Sequence, residues 1–217
     1  MQQPWVVVLT VDQRGSRSGP DLVEALLADL NAPRRAPTRV LDFERTAGDE
    51  VQGVLGDAVA AVDIALVLAA TGSWSVGLGT GAVQSPLPLS TRAARGPAFE
   101  NARHAVERAK SGAEPVAVRG PDEATADEAE ALLQLLAAVL RRRSPAGREV
   151  CELLAQGLTQ REAAHRLRVS KQAVSQRAQA ALWTQEARVR PLAARLLRAS
   201  SLDQASGLDS PEASLRA

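Results

Sequence analysis

The chain has no tyrosine, two phenylalanines and three tryptophans in 217 residues. Any core must therefore be filled by alanine, valine and leucine. The single cysteine, Cys151, excludes an intramolecular disulfide and a cysteine-ligated zinc site. It falls in an amphipathic helical stretch and is expected as a buried structural thiol. His104 and His165 are the only histidines, too few for a histidine-based metal centre, and neither has a serine or cysteine context for a catalytic triad. No apolar run approaches the ~20 residues needed to span a bilayer. Val6 to Val11 is too short, and lacks the basic lead, to be a signal peptide. The expectation is a cytoplasmic, nucleoid-associated protein with no membrane partner. Lysine is nearly missing too, with Lys110 and Lys171 alone, so arginine supplies the positive charge.

What is present is 45% hydrophobic and 24% charged, enough for a packed core. The net charge of +1 hides a split. Residues 141–198 hold 13 basic and 4 acidic side chains, a net of +9, whereas residues 1–140 hold 12 and 18, a net of −6. Such asymmetry points to a nucleic-acid-binding end joined to a different module.

The basic third contains LTQREAAHRLRVSKQAVSQRAQAALW, Leu158 to Trp183. Thr159 is an N-cap, and Glu162 follows three residues later as a capping box requires. Ala163, Ala164 and Leu167 share a helical face. The helix gives out at Arg168-Val169, and Ser170 caps a second one from Lys171. Ala173 and Val174 are expected to face the first helix, with Ala180 and Ala181 two turns on. Lys171, Gln172, Ser175, Gln176 and Gln179 then point outward, with the chemistry that reaches base edges and phosphates from the major groove. An antiparallel helix pair with a solvated polar face is the plain alternative. In the pattern LTxREAAxxLxVSxxxVSxR the stretch resembles the helix-turn-helix of LuxR-type regulators and of sigma-factor region 4. The expected DNA-binding residues are Ser170, Lys171, Gln172, Ser175, Gln176, Arg177 and Gln179, with Arg166 and Arg168. Arg141, Arg142, Arg143 and Arg148 are expected to serve phosphates as well.

Upstream, Trp5 to Val11 reads as a buried strand, ending at Asp12. A helix over 21–30 follows, then a strand over 38–45, a tight turn at Ala-Gly-Asp-Glu, and a returning strand over 51–54. Asp57 caps a helix that stops at Gly72. Ser73 to Gly79 is a glycine-rich strand. A helix from Pro97 to Gly112 and a short strand at 115–119 complete the set. Residues 125–143 form a helix with acid at its start and arginine at its end, matching the helix dipole. That helix is apolar enough to join the core, carry a dimer seam, or both.

The βαββαβ order brings the first strand beside the hairpin, so Asp12, Asp49 and Glu50 are expected to converge at one end of the sheet. Three carboxylates suit a Mg²⁺ ion bound to a nucleotide; solvated turn residues are the alternative. MQQPWVVVLTVDQRGS, TAGDEVQG and RAARGPAFENARHAVERAK together resemble the SatD family, and more distantly the nucleotidyl cyclase fold of class III cyclases and GGDEF proteins. GLGTGAV resembles the cyclase strand after the hairpin. The resemblance implies Asp12 and Asp49 or Glu50 as metal ligands. Gly48, Arg92, Arg95, Asn101 and Arg103 would then lie toward a nucleotide. Ala47 and Val51 depart from the GGDEF pattern. Glu100 stands in the place of the cyclase asparagine, with Asn101 one residue late, a rotation of about 100° on a helix.

The expectation is an α+β fold. A ferredoxin-like, cyclase-like βαββαβ domain (1–122) leads through a connecting or dimerisation helix (123–143) to an all-α helix-turn-helix domain (144–199) and a disordered tail (200–217). The leading reading is a dimeric regulator of double-stranded DNA whose degenerate cyclase-like domain takes a nucleotide with Mg²⁺ or mediates assembly. The alternative is a metal-dependent nucleotidyl cyclase or phosphotransferase with a regulatory helix-turn-helix.

Overall fold

The computed structural model, which describes residues 5–202, is built on a five-stranded mixed sheet. Its central strand is the apolar run, β1 (Val7–Gln13). β1 pairs antiparallel with β3 (Glu50–Leu55) on one side and with β4 (Trp74–Thr80) on the other. β2 (Arg39–Ala47) lies antiparallel to β3 at one edge, and β5 (Val116–Arg119) parallel to β4 at the opposite edge. The β2–β3 hairpin turns at Gly48 and Asp49. Gly48 takes φ 54°, which glycine reaches without a Cβ penalty.

Helices cover both faces, which is why Val7, Val8, Leu9 and Val11 of β1 are all buried. Val7, Leu9 and Val11 point to a layer made by α1 (Val23–Leu30), α2 (Ala58–Thr71), α4 (Glu123–Arg141) and α8 (Trp183–Ala199). Val8 points the other way, toward α3 (Pro97–Ser111). The seat for α3 is the glycine-rich strand. A Cβ on Gly77 would lie 2.2 Å from the Val106 nitrogen, and one on Gly79 2.2 Å from that of Ala102. Ala98, Ala102, Ala105 and Ala109, all buried, give α3 a flat face to lay on those glycines.

α4 starts earlier than its composition suggests. The Asp122 carboxylate accepts from the Thr125 N–H at 3.1 Å, and the helix begins at Glu123. Leu133, Leu136 and Leu140 bury in the main core, each contributing about 1.5–3 kcal/mol. α4 is thus a core element, with Leu135 on its outer side 62% exposed.

α5 (Pro145–Ala155), α6 (Gln160–Leu167) and α7 (Lys171–Ala180) have a small core of their own: Val150, Ala163, Ala164, Val174 and Ala178. The unit expected over 144–199 is shorter than that. After Leu182, in the left-handed region at φ 54°, α8 packs on α2 and α4 and places Ala193, Ala194 and Leu197 in the main core. It starts at Trp183, directly after Leu182. Ser200 is buried and hydrogen-bonded to Thr80 across Oγ and Oγ1 at 2.9 Å, while the Asp122 N–H donates to its carbonyl. Order therefore runs past residue 200, where the tail was expected to begin; residues 203–217 of that tail lie outside the described residues. Among the described residues no helix is long and apolar enough to cross a membrane.

Candidate functional site

The three-helix unit is built by its caps. Thr159 and Glu162 form the reciprocal box: the Thr159 N–H donates to Glu162 at 2.7 Å, and the Glu162 N–H to Thr159 Oγ1 at 3.3 Å. The Thr159 N–H and hydroxyl, both donating to it, hold the exposed Glu162 carboxyl below its ordinary value. α6 ends at Arg168 in the left-handed region, φ 54°. Ser170 Oγ then accepts from the Ala173 N–H at 3.1 Å and starts α7. The inward face of α7 is Val174, Ala178 and, past its end, Ala181; Ala180, expected inside, is exposed. The difference is the helical period, since 174, 178 and 181 are spaced by four and three.

Ser170, Lys171, Gln172, Ser175, Gln176 and Gln179 are exposed, as are Arg166 and Arg168; Arg177 is half-buried. Arg161 and His165 of α6 are exposed beside them and escaped the sequence reading, although positions 161, 165 and 168, spaced by four and three, share one side of the helix. None of Arg161, Arg166, Arg168, Lys171 and Arg177 forms an ion pair among the described residues.

The other arginines of the basic third differ. Arg143, its side chain 7% exposed, donates to Glu186 at 2.6 Å, and Glu186 is 2% exposed. Arg190 joins Glu186 from the other side and reaches Asp63 of α2 at 2.5 Å. Arg143 Nε also donates to the Ala181 carbonyl at 2.9 Å. Arg141 pairs with Glu114, and Arg148 donates to the carbonyls of Arg143 and Arg141. The expectation that Arg141, Arg142, Arg143 and Arg148 serve phosphates is corrected for Arg143 alone. Its guanidinium is buried against Glu186, which α8 brings back beneath the end of α4.

The carboxylates at the sheet end divide as well. Asp12 and Glu50 are direct cross-strand partners. Yet Asp12 faces α3 and pairs with Lys110 at 2.8 Å. Glu50 instead accepts from Thr46 Oγ1 at 2.6 Å, and Asp49 stays at the hairpin turn beside Gln13, Ser16, Arg17 and Asp21. The three do not gather around one point, and among the described residues no group of three His, Cys, Asp or Glu side chains is placed to hold a metal ion. Burial raises the Asp12 carboxyl above its ordinary value, outweighing Lys110, with Asp49 and Glu107 adding repulsion. For Lys110, burial works against the charge, but the bonds to Asp12 and Glu107 prevail and its ammonium titrates well above the usual range. Ser75, opposite Asp12 on β4, has a buried Oγ with no hydrogen-bond partner.

The residues expected around a nucleotide are scattered. Asn101 donates to the Thr80 carbonyl at 2.9 Å. Asp12 lies opposite Ser75, at the other end of β4, five residues or about 16 Å away. Arg92 is bound to Glu44 and the Arg45 carbonyl, and Arg95 to the carbonyls of Arg92 and Ala94. Gly48 serves the hairpin turn, and Arg103 is exposed on α3. The sequence reading missed Lys110, although its spacing of four from the buried Val106 extends the inward stripe of α3 toward Asp12.

No family model, no curated protein and no solved structure matches the chain.

Proposed function

We propose that this protein is a DNA-binding regulator in which α7 is the recognition helix. The observation that carries the reading is the contrast within the basic third. Arg143 and Arg190 are spent on the buried Glu186, while Arg161, Arg166, Arg168 and Lys171 stand exposed and unpaired beside the glutamines of α7. Unpaired cations beside a polar, capped helix suit a duplex: arginine and lysine meet phosphates, and Gln172 and Gln176 can reach base edges. One recognition helix reads few base pairs, so binding as a dimer follows. The sheet body is read as a ferredoxin-like unit, supported by the β2-β3-β1-β4 order with antiparallel neighbours. β5 extends it at one edge, and the body holds the three-helix unit in place.

The test is selection of bound sequences from a random duplex library by the full chain. Deleting 141–200 is unsuitable, because it strips α8 from the core. The expected result is a preferred motif that Gln172→Ala or Gln176→Ala relaxes, whereas Arg168→Ala weakens all sequences alike. Recovery of no duplex above background would end the reading.

A further inference from the structure

A cavity of about 340 Å³ separates the three-helix unit from the sheet body, within the size range of small-ligand sites. Its walls are the C-terminal half of α2, the end of α4, α5 and the start of α8. Val67, Ala70, Leu140, Cys151, Ala155 and Trp183 make the lining chiefly apolar. Thr71, three arginines and two glutamates complete it. Arg143 and Arg190 are tied to Glu186, but Arg148 meets only main-chain carbonyls, at 3.1 and 3.5 Å, and no carboxylate among the described residues. The site therefore offers an apolar chamber, a net positive lining and one guanidinium with donors to spare.

We infer that this junction cavity binds a small organic anion with an apolar, ring-sized body, its charge at Arg148 and its rings against Leu140, Cys151 and Trp183. Such a ligand bridges α2 to α5, where the two parts of the protein otherwise share little packing. Its binding is independent of what α7 contacts.

The probe is 1-anilinonaphthalene-8-sulfonate, a ring system bearing one anion, titrated into the full chain with excitation of tryptophan. The expected result is saturable emission from one site per chain, with energy transfer reduced in Trp183→Phe to what Trp5 and Trp74 supply. Ala155→Phe, which fills the chamber from an exposed position, should weaken binding by about tenfold or more, while Arg148→Ala weakens it roughly three- to tenfold. Thermal unfolding followed by circular dichroism confirms that each variant is folded; Arg148 is exposed, so its variant keeps the test open if Ala155→Phe does not fold. Wild-type protein that gives no saturable signal overturns the inference. So does unchanged affinity in Ala155→Phe, which removes the cavity, or in Arg148→Ala, which removes the partner of the anion.

Discussion

The sheet body and the three-helix unit treat their polar side chains in opposite ways. In the body, charges are spent on each other: Asp12 on Lys110, Glu130 on Arg108, Asp63 on Arg190. In the three-helix unit, capping occupies Thr159, Glu162 and Ser170, and the cations of α6 and α7 are left to solvent. The body is held by long-range contacts over a large core, and the unit by local caps around a few alanines and valines. Partner-binding chemistry is to be sought where charges remain unspent, and stability where they are paired.

The contrast breaks most sharply at Glu186. Glu186→Ala strands the buried Arg143 guanidinium and is expected to lower stability by about 3–5 kcal/mol in urea titration. Arg166→Ala, by comparison, should stay within about 0.5 kcal/mol of wild type. Next comes the seat of α3. Gly77→Ala pushes a methyl into the backbone at Val106 and should cost about 1–3 kcal/mol, measured by the same titration. Ser170→Ala removes the cap of α7 and should cost about 1 kcal/mol, visible as lost helicity on thermal unfolding.

A subtler difference appears with pH. The Asp12 carboxyl is raised from 3.8, so the folded chain takes up its proton more readily than the unfolded one. That stabilisation is complete below 3.8 and is lost as the pH rises through the raised folded value. Asp12→Asn lacks this titration. Wild type should therefore gain on Asp12→Asn as the pH falls toward 3.8 in urea titrations at successive pH values.

The three-helix unit was legible in the chain because its determinants are local: a capping box at Thr159 and Glu162, a serine cap at Ser170, and a small-residue face. The strands and helices of the body were legible for the same reason, in their runs and caps. What escaped were relations across the fold. GLG looks like a glycine-rich strand whether its neighbour is a ligand or a helix; only the packing of α3 shows that it serves Ala98 and Ala102. Asp12 and Glu50 were placed side by side by topology. Which partner each carboxylate takes depends on Lys110, nearly a hundred residues later, and on Thr46. Arg143 and Arg166 belong to the same basic stretch, and nothing local distinguishes them. The return of α8, carrying Glu186, sends one inward and leaves the other outside.

Most direct for the central claim is the salt dependence of duplex binding, followed by fluorescence anisotropy for wild type and for Arg166→Ala with Arg168→Ala. Affinity should fall steeply with salt. The log–log slope should drop by about 0.9 for each phosphate that the variant no longer neutralises, with the melting temperature of the variant unchanged. A slope and affinity identical in the double variant and the wild type, or no duplex binding by either, would contradict the account.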